Sequence, residues 1–224
     1  MRPWTLLGTA TVPGDGAPLR LMQRGDEFVI LAGTNPLMNS RMSGSEEDLA
    51  TLSGVRIAGR RTPHVLIGGL GMGFTLRAAL AAMPADMRIS VVEIVPEIVG
   101  WARGPLSGLF AGCLDDPRVS LEIADVGRVI GAHRAAYDAI LLDVDNGPEG
   151  LSRDDNDRLY GRAGLAASRT ALKPGGVLAV WSAHPDAKFT RRLGATGFTV
   201  EEQHVRERHG GKGARHTIWL ATRP

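Results

Sequence analysis

The chain has 224 residues, enough for one sizeable domain and a small additional unit at roughly 150 residues per domain. Hydrophobic residues make up 43% of the sequence and charged residues 22%, values that exclude a disordered or fibrous protein. The formal net charge of +2 argues against an overall positive field of the kind that attracts nucleic acids. Glycine is the outlier in this composition, with 29 residues.

The first part of the chain contains short extended segments separated by turns. This pattern predicts a small antiparallel β unit over residues 1–43, because Pro-Gly-Asp-Gly and Arg-Gly-Asp sequences favour tight turns. Residues 44–62 follow as a linking helix, since Ser45 is a favoured N-cap and the acids after it are stabilised by the helix dipole. The predicted strands of the β unit are 6–12, 19–23 and 28–32.

From residue 64 onward, apolar strand-like runs alternate with helix-like stretches. The runs are apolar throughout, as expected for parallel strands that are covered by helices on both faces. We therefore predict a doubly wound α/β fold with a mostly parallel sheet. Its predicted strands are 64–68, 88–93, 118–123, 138–143 and 176–182, and its helices are 73–83, 96–103, 126–134, 155–172 and 186–194.

The C-terminal segment has a different pattern. Extended runs at 198–205 and 216–221 flank a glycine-rich loop, which predicts a terminal antiparallel pair. Together with the parallel strands, this pair gives a seven-stranded Rossmann-like sheet in a domain that spans residues 63–224.

The turn after the first parallel strand is rich in glycine. It reads Gly-Gly-Leu-Gly-Met-Gly and leads into a helix, so its backbone amides can approach a ligand closely. Ligands of open parallel sheets bind beyond the carboxyl ends of the strands. After the second strand comes an acid, 22 residues beyond Gly71, that can accept hydrogen bonds from both hydroxyls of a ribose. These features predict a nucleoside-containing cofactor bound by Gly68, Gly69, Gly71, Gly73 and Glu93.

Acidic residues also follow the next two strands. The third strand ends at Asp125, where a polar side chain can bind the adenine amino group. Six carboxylates lie between Asp143 and Asp157, and such a concentration suits a cationic amine or the sulfonium of a donor. Asp143 is therefore also a candidate cofactor contact. Asp143 and Asp145 are candidates for orienting a nitrogen nucleophile and accepting its proton, and Asn146 is a candidate for positioning it.

This arrangement of glycines and acids, with the terminal antiparallel pair, resembles the class I S-adenosylmethionine-dependent methyltransferase fold. Within that superfamily the chain resembles the spermidine synthase-like branch, over about residues 19–182. The matching stretches are H-V-L-I-G-G-L-G-M-G from His64, V-V-E-I-V-P-E-I-V from Val91, Y-D-A-I-L-L-D-V-D-N-G-P from Tyr137 and L-K-P-G-G-V-L from Leu172.

The resemblance implies a donor, an acceptor class and roles for single residues. The donor is S-adenosylmethionine or decarboxylated S-adenosylmethionine, the acceptor is a small molecule such as a cationic polyamine, and the assembly is a homodimer. A small β domain precedes the catalytic domain in this family, as the predicted β unit does here. The resemblance assigns ribose binding to Glu93, contact with adenine to Ile94 and Asp125, the base to Asp143 or Asp145, and an acceptor contact to Tyr160.

Departures from the spermidine synthase pattern bear on the reaction. Aminopropyltransferases usually have an aspartate in the glycine-rich turn, where this sequence has Gly71. They also have an Asp-x-x-Asp-Pro loop, where the second acid corresponds to Asn146 here, or to Asp145 if one residue is deleted. We therefore expect methyl transfer to an amine or another small nucleophile, with aminopropyl transfer as the alternative. A NAD-dependent oxidoreductase and an inactive nucleoside-binding protein are further alternatives, although the Gly-x-Gly-x-Gly spacing disfavours a dinucleotide.

Other features bear on the cellular setting. The single cysteine, Cys113, excludes an intramolecular disulfide and fits a reducing compartment. The N-terminal residues do not resemble a signal peptide, and the longest strongly apolar run is too short to span a bilayer. We expect a cytoplasmic protein without membrane or nucleic-acid partners. No spacing of His, Asp and Glu predicts a metal site.

Overall fold

The computed structural model describes residues 2–13, 18–144, 147–148, 159–208 and 212–224. The N-terminal part forms a four-stranded antiparallel sheet with its strands in sequence order. The strands are β1 (Thr5–Ala10), β2 (Leu19–Arg24), β3 (Glu27–Ala32) and β4 (Asn35–Asn39).

Strand β4 is the part of this sheet that the sequence analysis missed. It is five residues long, and it contains a proline that cannot donate a backbone hydrogen bond. Asparagine, which begins and ends the strand, is also uncommon in strands. The pairing with β3 nevertheless forms, with a register irregularity between Ile30 and Leu31.

The rest of the chain forms a seven-stranded sheet with helices. Its strands are β5 (His64–Gly68), β6 (Arg88–Glu93), β7 (Val119–Ile123), β8 (Tyr137–Leu142), β9 (Leu172–Ser182), β10 (Thr199–Arg208) and β11 (Lys212–Thr222). The described helices are α1 (Gly44–Arg56), α2 (Phe74–Ala82), α3 (Pro96–Arg103), α4 (Ser107–Phe110), α5 (Val126–Gly131), α6 (Arg162–Ala171) and α7 (Ala187–Ala195), with a 3-10 turn at Cys113–Asp115.

The order of the strands confirms the doubly wound α/β prediction. The sheet runs β10-β11-β9-β8-β5-β6-β7, with β9 to β7 parallel and β11 antiparallel to both of its neighbours. The chain adds β6 and β7 on one side of β5, then crosses over to add β8 and β9 on the other side. The switch point, where ligands of such sheets bind, therefore lies at the carboxyl ends of β5 and β8.

Both faces of the central strands β5 and β8 are buried, as their apolar sequences predict. On β5, Val65 and Ile67 belong to one hydrophobic cluster, whereas Leu66 between them belongs to the other. The first cluster includes apolar residues of α1, α2, α3 and the N-terminal sheet, and the second includes residues of α5, α6 and α7. The N-terminal sheet thus packs on the same side as α1.

Several predicted boundaries differ from the structure. The linking helix, predicted over residues 44–62 with Ser45 as its N-cap, begins at Gly44 after Ser43 and ends at Arg56, and strand β11 begins at Lys212 rather than at residue 216. Strand β9 begins at Leu172 rather than at residue 176, because Leu172 already pairs with Tyr137 before a register shift. Helix α5 ends at Gly131 rather than at residue 134. Within the described ranges, no helix combines the length and apolar character needed to cross a membrane.

An ion cluster supports the edge of the sheet opposite the switch point. Asp138 near the start of β8 is buried, and its carboxylate accepts hydrogen bonds from Arg60 (2.8 Å), Lys173 (2.6 Å) and the backbone N–H of His64 (2.8 Å). Burial raises the pKa of Asp138, but the hydrogen bonds from Lys173, His64 and Arg60 outweigh this effect and lower the pKa below its ordinary value. Asp138 therefore joins β5, β9 and the segment after α1.

We predict that Asp138→Asn lowers the free energy of unfolding by about 3 kcal/mol, at the lower end for a buried ion pair that loses one partner. The pKa of Asp138 is depressed by folding, so its contribution is complete above the ordinary value of 3.8 and is lost as the pH falls through the folded value. Urea denaturation at neutral pH and near pH 3 measures both effects. The control is Asp115→Asn, which removes an exposed carboxylate 3.5 Å from Arg103 and should change stability by about 1 kcal/mol at most. Equal losses in the two variants contradict the prediction.

Candidate functional site

A cavity of about 180 Å³ lies at the carboxyl ends of the parallel strands. Its floor comes from the ends of β5, β6, β7 and β8 and the turns that follow them, which contribute Gly69, Glu93, Asp125 and Asp143. Apolar side chains from the N-terminal part of the chain form the opposite wall, and they are Val12, Leu19, Ile30, Leu37 and Met38. The N-terminal sheet therefore encloses the switch point of the larger sheet.

The glycine-rich turn has positions that only glycine fits well. Gly69 has a φ of +90°, and a Cβ there would overlap the backbone oxygen of Asp143. Gly71 has a φ of +49°, and a Cβ there would lie 2.6 Å from the Cε of Met38. Gly69 and Gly71 line the cavity, whereas Gly68 and Gly73 are outside the lining that the described residues form.

Glu93 fixes the shape of this turn. Its Oε2 accepts a hydrogen bond from the backbone N–H of Leu70 (2.8 Å), and its Oε1 accepts one from Val95 (2.9 Å). Burial raises the pKa of Glu93, and backbone hydrogen bonds from Leu70, Val95, Ile94 and Gly71 oppose that rise. Glu93 therefore fixes the turn through its carboxylate and presents that carboxylate at the cavity wall.

Asp125 and Ile94 lie on the same side of the cavity as Glu93. Asp125 is the N-cap of α5, and its Oδ1 accepts from the backbone N–H of Gly127 (2.6 Å) and Arg128 (3.3 Å). This bonding fixes the side chain at the cavity wall and leaves Oδ2 for a ligand. Ile94 also lines the cavity and offers an apolar surface.

Asp143 is placed directly after β8. Its backbone N–H donates to the backbone oxygen of Gly68 (3.0 Å), and its Oδ2 accepts from the hydroxyl of Thr75 on α2 (2.7 Å). Burial raises the pKa of Asp143 to about 6, although the Thr75 hydrogen bond opposes the rise. A carboxyl with such a pKa is a suitable base near neutral pH.

Glu46 is a second carboxyl at the cavity wall, and the sequence analysis assigned it only to the first turn of a helix. It is 8% exposed, and its Oε2 accepts from the hydroxyl of Ser45 (2.6 Å). Burial and the negative charge of Asp143 raise the pKa of Glu46 to about 8. The hydroxyl of Thr75, which binds Asp143, is also 3.4 Å from the backbone oxygen of Glu46.

Three residues were predicted from the sequence to contact the acceptor: Asp145, Asn146 and Tyr160. Asp145 and Asn146 lie outside the residues that the structure describes. Tyr160 is fully buried, packs edge-on against Phe189 with ring centroids 5.7 Å apart, and is not among the described residues that line the cavity. Roles for Asp145, Asn146 and Tyr160 in acceptor binding stay predictions.

Trp181 at the end of β9 lines the cavity on the side of Glu46. Its ring packs edge-on against His216 with centroids 4.8 Å apart. The indole N–H is buried and has no hydrogen-bond partner among the described residues. The cavity lining thus combines the carboxyls of Glu46 and Asp143 and the ring of Trp181 with the glycine turn, Glu93 and Asp125.

Comparisons with known proteins find similarity in both sequence and structure. Residues 43–190 match the family described as the spermine/spermidine synthase domain. The chain is 38% identical to putrescine N-methyltransferase 4 of Nicotiana tabacum over 115 residues, 51% of this chain. It is 30% identical to a polyamine aminopropyltransferase of Mycobacterium tuberculosis over 154 residues, 63% of this chain. These alignments cover 28% of the length of each relative.

The fold is also found in solved structures. The crystal structure of spermidine synthase from Thermotoga maritima superposes with a TM-score of 0.76 at 18% sequence identity, covering 98% of this chain and 73% of that one. A spermidine synthase in complex with the transition state analogue AdoDATO superposes with a TM-score of 0.78 at 19% identity, covering 98% and 74%. At these identities the comparison shows a shared fold.

We predict that Glu46→Gln stabilises the protein relative to wild type as the pH rises from 5 to 8. The pKa of Glu46 is higher in the folded protein than its ordinary value of 4.5, so the folded state binds more protons in this range. Its contribution to stability is complete below pH 4.5 and declines as the pH rises towards 8, because the carboxyl ionises in the unfolded chain while it stays protonated in the folded protein. The glutamine side chain of the variant cannot ionise and escapes this decline. Melting temperatures of both proteins between pH 5 and pH 8 test the prediction.

The matched control is Glu47→Gln, which removes the neighbouring carboxyl on α1 that does not line the cavity. A melting-temperature difference between Glu46→Gln and wild type that stays constant from pH 5 to pH 8 contradicts the prediction.

Proposed function

Because the chain belongs to the spermine/spermidine synthase domain family, we propose that it transfers an alkyl group from an S-adenosylmethionine-type donor to the nitrogen of a small amine. The observation that carries this proposal is the pair of carboxyls, Glu46 and Asp143, in the same cavity as the glycine turn and Glu93. A nucleoside-type subsite beside a cation-binding subsite suits a reaction between a sulfonium donor and an amine.

The donor subsite consists of the glycine turn, Glu93, Ile94 and Asp125. Gly69 and Gly71 allow close approach of a ligand to the backbone, and the carboxylate of Glu93 at the cavity wall suits the two hydroxyls of a ribose. Ile94 offers an apolar surface to an adenine ring, and Asp125 Oδ2 suits its amino group. The residues at this wall therefore fit an adenosyl group. A bound sulfonium donor supplies an electrophilic carbon and a neutral thioether leaving group.

The acceptor subsite contains the remaining polar groups of the cavity. Asp143 orients the amine and accepts its proton as the new carbon–nitrogen bond forms, the carbon–sulfur bond breaks and its electron pair remains on sulfur. Thr75 holds the Asp143 carboxylate at a fixed orientation, which keeps the base in line with the nucleophile. We assign acceptor contacts to Asp145 and Asn146, which follow Asp143 closely in sequence, and to Tyr160, where the resemblance to the family implies one, as part of the same proposal.

The proposed reaction is methyl transfer, with aminopropyl transfer as the second candidate. The described part of the glycine turn has no acidic side chain to bind the amino group of a decarboxylated donor, and Met38 packs against the turn instead. This arrangement favours S-adenosylmethionine as the donor. The second candidate draws support from the relatives, which include both an N-methyltransferase and an aminopropyltransferase.

The same proposal includes a cytoplasmic setting and a homodimer. The single cysteine, Cys113, is buried and suits a reducing compartment. Trp4, Leu6 and Leu7 are exposed at the edge strand β1, and exposed apolar side chains favour a contact with another chain.

The proposed function predicts turnover with a sulfonium donor and an amine. Purified protein is incubated with S-adenosylmethionine or its decarboxylated form, together with putrescine, and products are identified by mass spectrometry. We expect methylated putrescine, and aminopropylated putrescine instead identifies the second candidate. Asp143→Asn should lower kcat by about 10²–10⁴-fold, as expected for loss of a general base, while donor binding measured by calorimetry is retained.

The matched control for Asp143→Asn is Asp186→Asn, at the N-cap of α7. Asparagine caps a helix as well as aspartate does, so turnover should be unchanged. Binding of NAD without binding of either sulfonium donor contradicts the proposed function, and full turnover by Asp143→Asn contradicts the assignment of the base.

We predict that Gly71→Ala weakens donor binding at least tenfold, or about 1.4 kcal/mol. The side chain of Met38 can move away from an added Cβ, but the positive φ of Gly71 remains unfavourable for alanine. The turn therefore shifts to a conformation with a different placement of its amides. Calorimetric titration with S-adenosylmethionine measures the affinity.

The control for Gly71→Ala is Gly100→Ala within α3, where an added Cβ meets no atom within 4 Å. This variant should bind the donor as wild type does and be slightly more stable, since alanine favours a helix. Equal donor affinity in the Gly71→Ala variant and wild type contradicts a role of this turn in binding.

A further inference from the structure

A chain of three polar side chains connects the cavity to a histidine on β11. Ser45 in the first turn of α1 is fully buried, and its hydroxyl donates to Oε2 of Glu46 (2.6 Å). On its other side, Nδ1 of His216 is 2.8 Å from the same hydroxyl oxygen. Glu46 is at the cavity wall, and His216 is half-buried. A continuous path of hydrogen bonds therefore leads from the cavity to a partly solvated imidazole.

The hydrogen bonds that link Glu46, Ser45 and His216 can run in two directions. When Glu46 is ionised, His216 Nδ1–H donates to Ser45, and Ser45 donates to the carboxylate. When Glu46 is protonated, its O–H can donate to Ser45, and Ser45 can then donate to an unprotonated Nδ1. A serine hydroxyl both donates and accepts, and either nitrogen of a neutral imidazole can carry the proton. The two arrangements use the same heavy atoms and differ only in the number and position of their protons.

The surroundings hold His216 in place for this exchange. Its ring packs edge-on against Trp181, which itself lines the cavity. Its backbone lies in β11, where His216 pairs with Val205 of β10. The imidazole is therefore fixed between two strands and the cavity wall, and its distance to Ser45 is set by packing.

We propose that Ser45 and His216 form a proton relay that releases the proton of Glu46 when a cationic acceptor enters the cavity. The proposal rests on the proposed function, since it takes the acceptor to be an ammonium. The proton of Glu46 moves to the oxygen of Ser45, Ser45 passes its own proton to Nδ1 of His216, and His216 loses a proton to solvent. The ammonium then faces two carboxylates, Glu46 and Asp143. No electrons are exchanged, and one proton leaves for each cation that enters.

Charges around the relay favour this exchange. Burial, Asp143 and Glu207 raise the pKa of Glu46 to about 8, against the opposing hydrogen bond from Ser45. Burial and His184 lower the pKa of His216, against the opposing charge of Glu207. At neutral pH the empty cavity therefore holds a protonated Glu46 beside a neutral His216. A cation at Asp143 favours ionisation of Glu46, and the neutral imidazole is free to accept.

The first test measures proton release on binding, with no need for turnover. Putrescine and butylamine are titrated into the protein at pH 7 in buffers of different ionisation enthalpy, and the protons released are obtained from the heats. Wild type should release about one proton per amine, and the release should decline above pH 8, where Glu46 is already ionised. Glu46→Gln should release none.

The second test measures the route that the proton takes. Stopped-flow mixing with a pH indicator gives the rate of proton release after putrescine is added. We expect Ser45→Ala and His216→Asn to release protons at least about tenfold more slowly, because neither alanine nor an asparagine amide can pass a proton along this chain. Ser45→Thr keeps the hydroxyl and should restore the rate.

Matched controls separate the relay from changes in packing. Ser53→Ala alters another fully buried serine of α1, whose hydroxyl donates to the backbone oxygen of Leu49, and His204→Asn alters a histidine of the neighbouring strand β10. Both should release protons at the wild-type rate. Variants that fail to fold are identified by melting temperature. If Ser45→Ala or His216→Asn fails to fold, the proton release of Ser45→Thr is compared with that of Glu46→Gln instead.

The outcomes separate the relay from the proposed function. Absence of amine-linked proton release in wild type overturns the relay, whether or not the amine is alkylated. Release at the wild-type rate by both Ser45→Ala and His216→Asn also overturns it. Normal proton release without product from either sulfonium donor supports the relay and overturns the proposed transferase activity.

Discussion

The two carboxyls that share the cavity are the constraint on which the functional site depends. Glu46 and Asp143 both have raised pKa values because their surroundings are poorly solvated, and the charge of one opposes ionisation of the other. Two interacting acids of this kind release their protons in separate steps that belong to the pair. An entering cation changes that balance, because it stabilises both ionised forms at once. The pair therefore couples the protonation state of the cavity to its occupancy.

The two sheets contribute differently to the burial of these carboxyls. Asp143 is fixed by the end of β8 and by Thr75 on α2, whereas Glu46 belongs to α1, which follows the N-terminal sheet. Apolar side chains of that sheet close the cavity and exclude water from both carboxyls. The N-terminal sheet thus sets the electrostatics of the site without contributing a charged residue to the described wall of the cavity.

Local sequence patterns predict much of the fold and part of the site. The apolar runs predict the parallel strands, and the ends of parallel strands meet at one edge, so Gly69, Gly71, Glu93 and Asp143 are expected there together. The cavity confirms that these four residues converge. Their assigned ligand contacts remain predictions. Their convergence was predictable because each residue lies at the end of its own parallel strand or in the turn after it.

The missed features depend on contacts between distant parts of the chain. Glu46 has the appearance of an ordinary acid in the first turn of a helix, and only the packing of α1 against α2 and the larger sheet brings it to the cavity. Ser45 and His216 are 171 positions apart in sequence. A residue pattern with a period of two or 3.6 carries no information about such a pair. Acids at helix starts near a predicted ligand edge are the signal that could have identified Glu46.

Strand β8 carries two aspartates whose different surroundings support a functional interpretation of the cavity. Asp138, near its start, is paired with Arg60 and Lys173, and its pKa is lowered. Asp143, just past its end, has the Thr75 hydroxyl as its side-chain partner within the described part of the chain, and its pKa is raised. The described part of the fold thus pairs Asp138 with two cationic side chains, whereas it provides none for Asp143. Leaving Asp143 and Glu46 without a cation from the described chain costs stability, and that cost is recovered when a ligand supplies the positive charge.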